Sequence, residues 1–580
     1  MSDLNYLYKG FLGDEPANSI DNLQEVFNEH IFPFIKHWWD PAGPIPSKGE
    51  IQQLASLIEK NAEQHPLPEL YKHLPEFLKK ISAAIRFNRN NFVNIHPSPF
   101  IPANLASFIT SVQNPNNIVQ EVSEATWIME RESIDWMAKN LFGLEQSVEH
   151  WGNVVSGGTV ANMTALLIAR DYTYDKLNRP RPRSIGARGL IGYEPGVVIG
   201  TTATHYSVKK ALWFLGVGSE NLVTIPVAMD EKSKLAAFKE ERFIKGIQDK
   251  HWKARIGDAI ELDNKQRGKE LDEFYNGENE PFSLQPLNSE LLKTVYSCFQ
   301  FNIPLIGCVL TLGTTDTGTL EKLDDSVIKL LKEEDIFFHA DAASGGFSMV
   351  LDDIKNQVNN LSLFDSFTID AHKMGLMHYP CGAVLFRDKG FREQIRHEAP
   401  YLGELAPTLE GSRPGTNSAA LWMATKTIDV AGYQLLIKNL LLFTNRLKNN
   451  FNKSNFQVLH KVQLNAIAVA PKLKANETRL EMNKMVELVR TNILNQGKFM
   501  INLDKGVASI KVRNVPSDER SELVDIFALR IVITNPLVQM KDAEELVTQL
   551  EESLERVRGG SKTFINELAI LTEQTKTWSL

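Results

Sequence analysis

Cysteine is scarce in this chain. There are three among 580 residues, Cys298, Cys308 and Cys381. An odd number at these spacings builds neither a disulfide framework nor a zinc site. No metal centre is expected, and the reducing cytoplasm is the natural compartment. No apolar run is long enough to span a bilayer. The N-terminus, Met1-Ser2-Asp3-Leu4-Asn5, lacks the basic and apolar segments of a secretory signal. Positive charge is also short. Lys and Arg number 63 against 71 Asp and Glu, a formal net charge of −8. That balance argues against a broad nucleic-acid surface. Tandem repeats and low-complexity tracts are missing too. The length exceeds what a single hydrophobic core serves, so two or three domains are expected.

Residues 1–125 read as an N-terminal helical arm. Helices are expected around 21–35, 48–61 and 74–86, with proline-rich loops at 41–46 and 96–102. Such an arm suits wrapping around a partner subunit. A helix from Glu121 to Phe142 is ended by Gly143. From 126 to 430 strands alternate with helices, which implies right-handed βαβ crossovers and a mostly parallel sheet. Residues 231–281 interrupt this unit. They are rich in Lys, Glu, Asp and Asn with little apolar period, and read as a charged, partly helical surface excursion. It is either solvated surface or a lid or docking element. An apolar helix runs through Trp422 towards Val430. Residues 431–580 then form a small α+β domain with an antiparallel sheet. Its strands are expected at Phe456–Val469, Val507–Val512 and Phe527–Thr534, and its helices at Glu477–Leu494 and Ala543–Val557. Leu546, Leu550 and Leu554 give the last helix one apolar stripe.

The chemistry collects at strand ends. Ser366-Phe-Thr-Ile-Asp370-Ala-His-Lys373-Met-Gly375 is a short strand that delivers one lysine into a cleft. Burial disfavours the ammonium form, which makes the amine a usable nucleophile towards a carbonyl cofactor. Ser156-Gly157-Gly158-Thr159 opens a helix. Small residues there let backbone N–H groups approach an anion at the positive end of the helix dipole, although helix capping explains the same residues. The run is neither a dinucleotide fingerprint nor a P-loop. His205 follows a buried strand, Val197–Thr201. A third strand ends in Gly313-Thr314-Thr315, and a fourth, Ile336–Ala343, carries Asp341. In open α/β sheets, ligands gather at such ends. An imine-forming lysine, an acid to pair with a ring nitrogen and a phosphate cradle are the parts that pyridoxal 5′-phosphate requires.

These segments resemble the group II pyridoxal-phosphate decarboxylases, most closely their tyrosine-decarboxylase-like branch. The resemblance rests on Asn114-Pro-Asn-Asn117, Ser156-Gly-Gly-Thr-Val-Ala-Asn162, His205-Tyr-Ser-Val-Lys-Lys-Ala211 and Gly313-Thr-Thr315. It continues through His339-Ala-Asp-Ala-Ala-Ser-Gly-Gly-Phe347, Ile369-Asp-Ala-His-Lys-Met-Gly375, Pro400-Tyr-Leu402, Gly411-Ser-Arg-Pro-Gly415 and Leu529–Pro536. It implies fold type I, the aspartate-aminotransferase-like α/β architecture, and a homodimer with a shared active site. Lys373 would hold the cofactor as a Schiff base. Asp341 would pair with the ring nitrogen, and His205 would stack on the ring. Gly157, Gly158 and Thr159 would bind phosphate beside Ser156, with Thr315, Ala343 and His372 in the same site. Ser412 or Arg413 would contribute across the dimer. Tyr401 would return a proton to the substrate Cα. His96 and Phe100 match a substrate-contacting loop, and Arg413 or Arg530 could pair with an acidic side chain. Phe100, Trp127 and Phe347 are either pocket walls or core. The implied reaction is decarboxylation of an L-amino acid, with an aromatic substrate such as L-tyrosine favoured. L-Glutamate or L-aspartate decarboxylation is the nearest alternative. Carbon–carbon cleavage of the sphingosine-phosphate-lyase kind is another, since Gly411–Gly415 resembles that family too.

Overall fold

The computed structural model describes residues 24, 27–33, 68–82, 84, 89–97, 99–144, 149–180, 195–228, 246–267, 269–358, 361–396, 407–518 and 520–560. The chain forms two compact units, Met1–Asn91 with Ile493–Met500, and Phe92–Asn492 with Ile501–Leu580. In the first, a helix spans Pro68–Ser82 and buries Leu74 and Leu78. The expected helix around 48–61 lies outside the described residues. No helix among the described residues is long and apolar enough to cross a membrane.

The second unit is built on a seven-stranded sheet. Its strands are β1 (Trp151–Val155), β2 (Val197–Thr201), β3 (Leu222–Ile225), β4 (Leu305–Thr311), β5 (Phe338–Asp341), β6 (Ser366–Ile369) and β7 (Gly382–Phe386), in the order β1-β7-β6-β5-β4-β2-β3. Strands β2 to β6 run parallel, and β7 is antiparallel to both of its neighbours. Every residue of β4, β5, β6 and β7 is buried, as expected of a sheet covered on both faces. The helix Gly158–Lys176 lays Ala161, Ala165 and Ala169 against the sheet, and small side chains permit that close approach. In the other core cluster, Ile134, Met137 and Leu141 come from the helix Glu124–Phe142, and Phe142 stacks on Phe367 at 4.1 Å.

Beyond residue 455 the chain forms β8 (Phe456–Val458), β9 (Ala466–Pro471), β10 (Asn502–Asp504), β11 (Lys511–Arg513), β12 (Leu523–Asp525) and β13 (Ala528–Val532). Four of these make an antiparallel sheet in the order β10-β13-β9-β8, and β11 pairs with β12. The run expected as one strand over 456–469 is two, because the chain turns back between β8 and β9. Leu546, Leu550 and Leu554 are fully buried on the helix Met540–Gly559. The helix expected to fade near Val430 continues as Gly415–Phe451, broken at Asp429, whose φ is 56°. Asp429 Oδ1 accepts from the Gly432 N–H at 2.9 Å and so caps the second half.

The excursion at 231–281 is the main correction. Its described part is packed, not merely solvated. The helices Lys250–Arg267 and Glu270–Tyr275 bury Trp252, Ile256, Leu271 and Phe274. The buried Asp263 carboxylate accepts from the N–H groups of Asn288 (3.3 Å) and Ser289 (2.8 Å), the first residues of the helix Asn288–Gln300. Glu270 likewise accepts from Ser283.

Candidate active site

A cavity of about 300 Å³ opens at the carboxyl ends of the parallel strands. Lys373, His372, Asp341, Ala343 and His205 line it, together with Ser156, Gly157, Gly158 and Thr159. Residues more than two hundred positions apart meet there because each follows the end of a strand.

Lys373 is 6 % exposed. Its Nζ lies 3.2 Å from Asp370 Oδ2 and 3.3 Å from Ser344 Oγ. Asp341, at the end of β5, is held by two donors. Asn162 Nδ2 donates to Oδ2 at 2.9 Å, and the Ala343 N–H donates to Oδ1 at 3.2 Å. The Asn162 amide is itself fixed. Its Oδ1 accepts from Thr368 Oγ1 at 2.6 Å and from His339 Nε2 at 2.9 Å, so its NH₂ must face Asp341. Burial pushes His339 down to about 4 and keeps it neutral. The Asp341 side chain is therefore held in one orientation.

His205 caps the helix Tyr206–Phe214. Its Nδ1 accepts from the Ser207 N–H (3.3 Å) and lies 2.7 Å from Ser207 Oγ, which leaves the ring proton on Nε2. Burial lowers its pKa, so the ring is neutral. His372 donates from Nδ1 to the Cys381 carbonyl at 2.7 Å. Its Nε2 is thus an acceptor, 3.5 Å from Asp370 Oδ2. Burial lowers the pKa of this ring as well.

The phosphate-cradle reading has a geometric test. Gly157 has φ +157°, which other residues rarely adopt, and a Cβ on Gly158 would stand 3.0 Å from Asp370 Oδ2. The turn into the helix Gly158–Lys176 therefore favours glycine at both positions, at Gly157 for its backbone and at Gly158 for the close approach of Asp370. With a buried amine, an oriented carboxylate and a helix N-terminus around one cavity, the residues present fit pyridoxal phosphate.

Other expected residues lie elsewhere. Thr315 lines a second cavity of about 550 Å³ that shares His205 and Tyr206 with the first. Ser412 accepts from Asn116 at 3.0 Å and lines neither cavity of its own chain. Arg413 is not available to a substrate. Its buried guanidinium pairs with Glu130 at 2.6 Å and donates to the Val154 and Asn117 carbonyls. Phe100 packs against the core, as does Phe347. His96 sits at the rim, edge-on to Tyr379 with ring centroids 4.7 Å apart, and burial with His372 and Lys373 nearby lowers it to about 4. Tyr401 lies outside the described residues. Sequence reasoning missed Asn162, Ser207, Asp370 and Tyr379. The last lies against His372, ring centroids 3.9 Å apart and planes tilted by 34°, and lines the smaller cavity.

Comparison with known proteins agrees with this geometry. Residues 284–472 match the pyridoxal-dependent decarboxylase conserved domain, which includes the Asp341 and Lys373 segments. The chain is 26 % identical over 410 residues to the aspartate 1-decarboxylase of Aliivibrio fischeri, across 66 % of this chain and 64 % of that enzyme. It is 23 % identical to the L-tyrosine decarboxylase of Enterococcus faecalis, across 94 % of this chain and 97 % of that one. Among solved structures it resembles the glutamate decarboxylase domain of a diaminobutyrate-pyruvate transaminase and L-2,4-diaminobutyrate decarboxylase from Vibrio parahaemolyticus. The TM-score is 0.67 at 16 % identity, over 94 % of this chain and 98 % of that one, a likeness of fold.

Proposed function

We propose that this chain, which belongs to the group II pyridoxal-phosphate-dependent decarboxylases and to their tyrosine-decarboxylase-like branch, converts an L-amino acid to its amine and carbon dioxide, with an aromatic substrate such as L-tyrosine favoured. The observation that carries this reading is the meeting of Lys373, Asp341 and His205 around one cavity. Bound pyridoxal phosphate supplies the electron sink for the electrons released when the carboxylate departs.

Lys373 holds the cofactor through its amine. Asp341, held in place by the Asn162 amide and the Ala343 N–H, would pair with the ring nitrogen. His205, neutral and fixed by Ser207, presents its ring to the cofactor face and its Nε2–H to the substrate. Gly157, Gly158 and Thr159 offer N–H groups to the phosphate, with Ser156 and His372 beside them. Tyr401 returns a proton to the substrate Cα after carbon dioxide leaves. The substrate side chain extends into the larger cavity, which Tyr206 borders.

An acidic substrate is the second reading. Arg530 lines that larger cavity, and its Nε has no hydrogen-bond partner among the described residues. A screen for carbon dioxide release across the common amino acids separates the two. Release from tyrosine with formation of the amine supports the first. Release from aspartate or glutamate alone refutes it, and an aldehyde with phosphoethanolamine as products would mark carbon–carbon lyase chemistry instead.

The enzyme acts in the cytoplasm as a homodimer. The helix Ile101–Gln113 supports the dimer, since it exposes Ile101 (78 %), Leu105, Ile109 and Val112 along one stripe. Light scattering should give the mass of two chains. An active single-chain species would remove this part of the proposal.

A further inference from the structure

Glu321 is completely buried, lines neither cavity and has no part in the proposed reaction. It stands where two strands part. β2 and β4 are neighbours in the sheet, but their pairing ends at Ile199 and Cys308, while the strands run on to Thr201 and Thr311. The Glu321 side chain fills that gap. Its Oε1 accepts from Thr201 Oγ1 at 2.5 Å, and its Oε2 accepts from the Thr311 N–H at 2.7 Å. Its own N–H donates to the Thr311 carbonyl at 3.0 Å, so the residue is anchored on β4 and reaches across to β2.

Thr201 passes this hold on towards His205. Its hydroxyl donates to Glu321 and accepts from the Ala203 N–H at 3.2 Å. The Thr201 N–H donates to Thr204 Oγ1 at 2.6 Å, and the Thr204 N–H donates to the Thr201 carbonyl at 3.0 Å. Gly200 permits this fold-back, because a Cβ there would stand 2.7 Å from Thr204 Oγ1. The turn from Thr201 to Thr204 therefore closes on itself, and His205 is the next residue. The Thr202 N–H ties the turn to the Ile225 carbonyl at the end of β3 (2.9 Å), and the Glu321 carboxylate ties it to β4.

Both carboxylate oxygens are in use as acceptors. A proton on Oε2 would face the Thr311 N–H, a donor that cannot turn, and one on Oε1 would face the Thr201 hydroxyl. That hydroxyl can turn, but its proton must then find Thr204 Oγ1, 3.4 Å away and already engaged by the Thr201 N–H. We propose that Glu321 is a positioning residue for His205: ionised, it locks the turn Thr201–His205 against β4, and protonated, it lets the turn loosen. Burial raises the acid to about 7 against the pull of Thr201 and Thr311, and Asp316, the charged neighbour that acts on it, adds to the rise. The loosened turn withdraws the Thr201 bond from the carboxylate, so it holds the proton more tightly than the locked turn does. Loosening therefore grows as pH falls and is complete below about 7. The inference deepens the proposed function and rests on His205 acting there.

The test is amide hydrogen exchange, read by mass spectrometry on the full chain freed of cofactor, from about pH 6 to about pH 9 and corrected for the intrinsic rate. In the wild type the amides of Thr202, Ala203 and Thr204 should be protected about tenfold better at the upper end, the worth of a hydrogen bond to a charged group. Glu321→Gln, which cannot ionise, and Thr201→Val, which has no hydroxyl, should give low protection at every pH. Thr201→Ser should restore the wild-type profile. The helix Met540–Gly559 should exchange alike in every variant, which separates positioning from a general loss of stability. In the loaded enzyme, carbon dioxide release by the wild type should fall by about the same tenfold on the acid side, and Glu321→Gln should lack that dependence. Turn protection that ignores pH in the wild type, or that is equal in Glu321→Gln, overturns the inference, and so does turnover that does not follow the turn. No carbon dioxide from any amino acid, with the turn still answering to Glu321, overturns the functional reading and leaves the coupling in place.

Discussion

The two adjoining cavities are built on different terms. In the smaller one the polar groups are pinned: Asp341 by Asn162 and Ala343, His205 by Ser207, His372 by the Cys381 carbonyl. In the larger one Arg530 faces Asp504 and Asp316 and donates to the Thr315 and Val93 carbonyls, and the hydrogen bonding is less complete. Arg490 and Arg530 each have an Nε with no partner among the described residues, and Asp504 stands close enough to Asp316 to feel its charge. The wall also contains Ala508 and Ser509, both at positive φ. Backbone held in that region is stored strain and is retained where surrounding structure enforces it. The difference teaches where invariance is required. Under the proposed function the smaller cavity would hold a cofactor of constant shape, which suits groups fixed in advance, and the larger one would meet what varies between substrates.

The most severe way to break the contrast is at Lys373. Lys373→Ala should abolish both the visible absorbance of bound cofactor and all carbon dioxide release, measured on the same preparation. Retained turnover would mean that the pinned cavity is not the reaction site. The next largest effect concerns what pins it. The Arg413–Glu130 pair is buried, Glu130 Oε1 accepts from the Val154 N–H at 2.9 Å, and Arg413 donates to the Val154 carbonyl at 2.8 Å. Together they fix the end of β1 just before Ser156. Arg413→Ala leaves Glu130 buried and uncompensated, at a cost of about 3–5 kcal/mol in unfolding free energy. Chemical denaturation reads this directly, and a loss below about 1 kcal/mol would show that the strand end holds itself in place.

The smallest effect probes the larger cavity. Burial and the neighbouring Asp316 raise Asp504 to about 6. The folded state thus holds this proton more tightly than the unfolded chain, whose carboxyl titrates near its ordinary value of about 4. The ionised form lowers stability, by nothing below that value and fully above about 6. Asp504→Asn should therefore stabilise the protein at pH 8 by on the order of 1–3 kcal/mol and leave it unchanged at pH 3. A melting-temperature gain that does not grow with pH would show that Asp504 is already satisfied.

Much of the smaller cavity was legible in the sequence because its residues follow strands, and a parallel sheet brings strand ends together. Lys373, Asp341, His205 and Ser156 were found that way. Asp370 was not, although it lies in the same run as Lys373. Its ion-pair partner Lys373 is three residues away, but its burial comes from residues distant in sequence, and no local pattern records that. Arg413 misled for the opposite reason. Beside Ser412 and between glycine and proline it reads as a loop cation, yet its partner Glu130 is 283 positions away. The antiparallel sheet was recognised, but two of its strands were merged, since β8 and β9 are both apolar and the turn between them is brief. The excursion at 231–281 was taken for surface because Trp252, Ile256, Leu271 and Phe274 are sparse among charged neighbours. Four such anchors suffice when other elements supply the rest of the core.

Asp263 makes that excursion a structural part of its unit. Its carboxylate serves the first amides of the helix Asn288–Gln300, and Trp252, Ile256 and Ala259 share a core with Leu291, Leu292 and Val295 from the same helix. Cutting the segment out would therefore not simply shorten a loop: it would uncap a helix and strip part of a core.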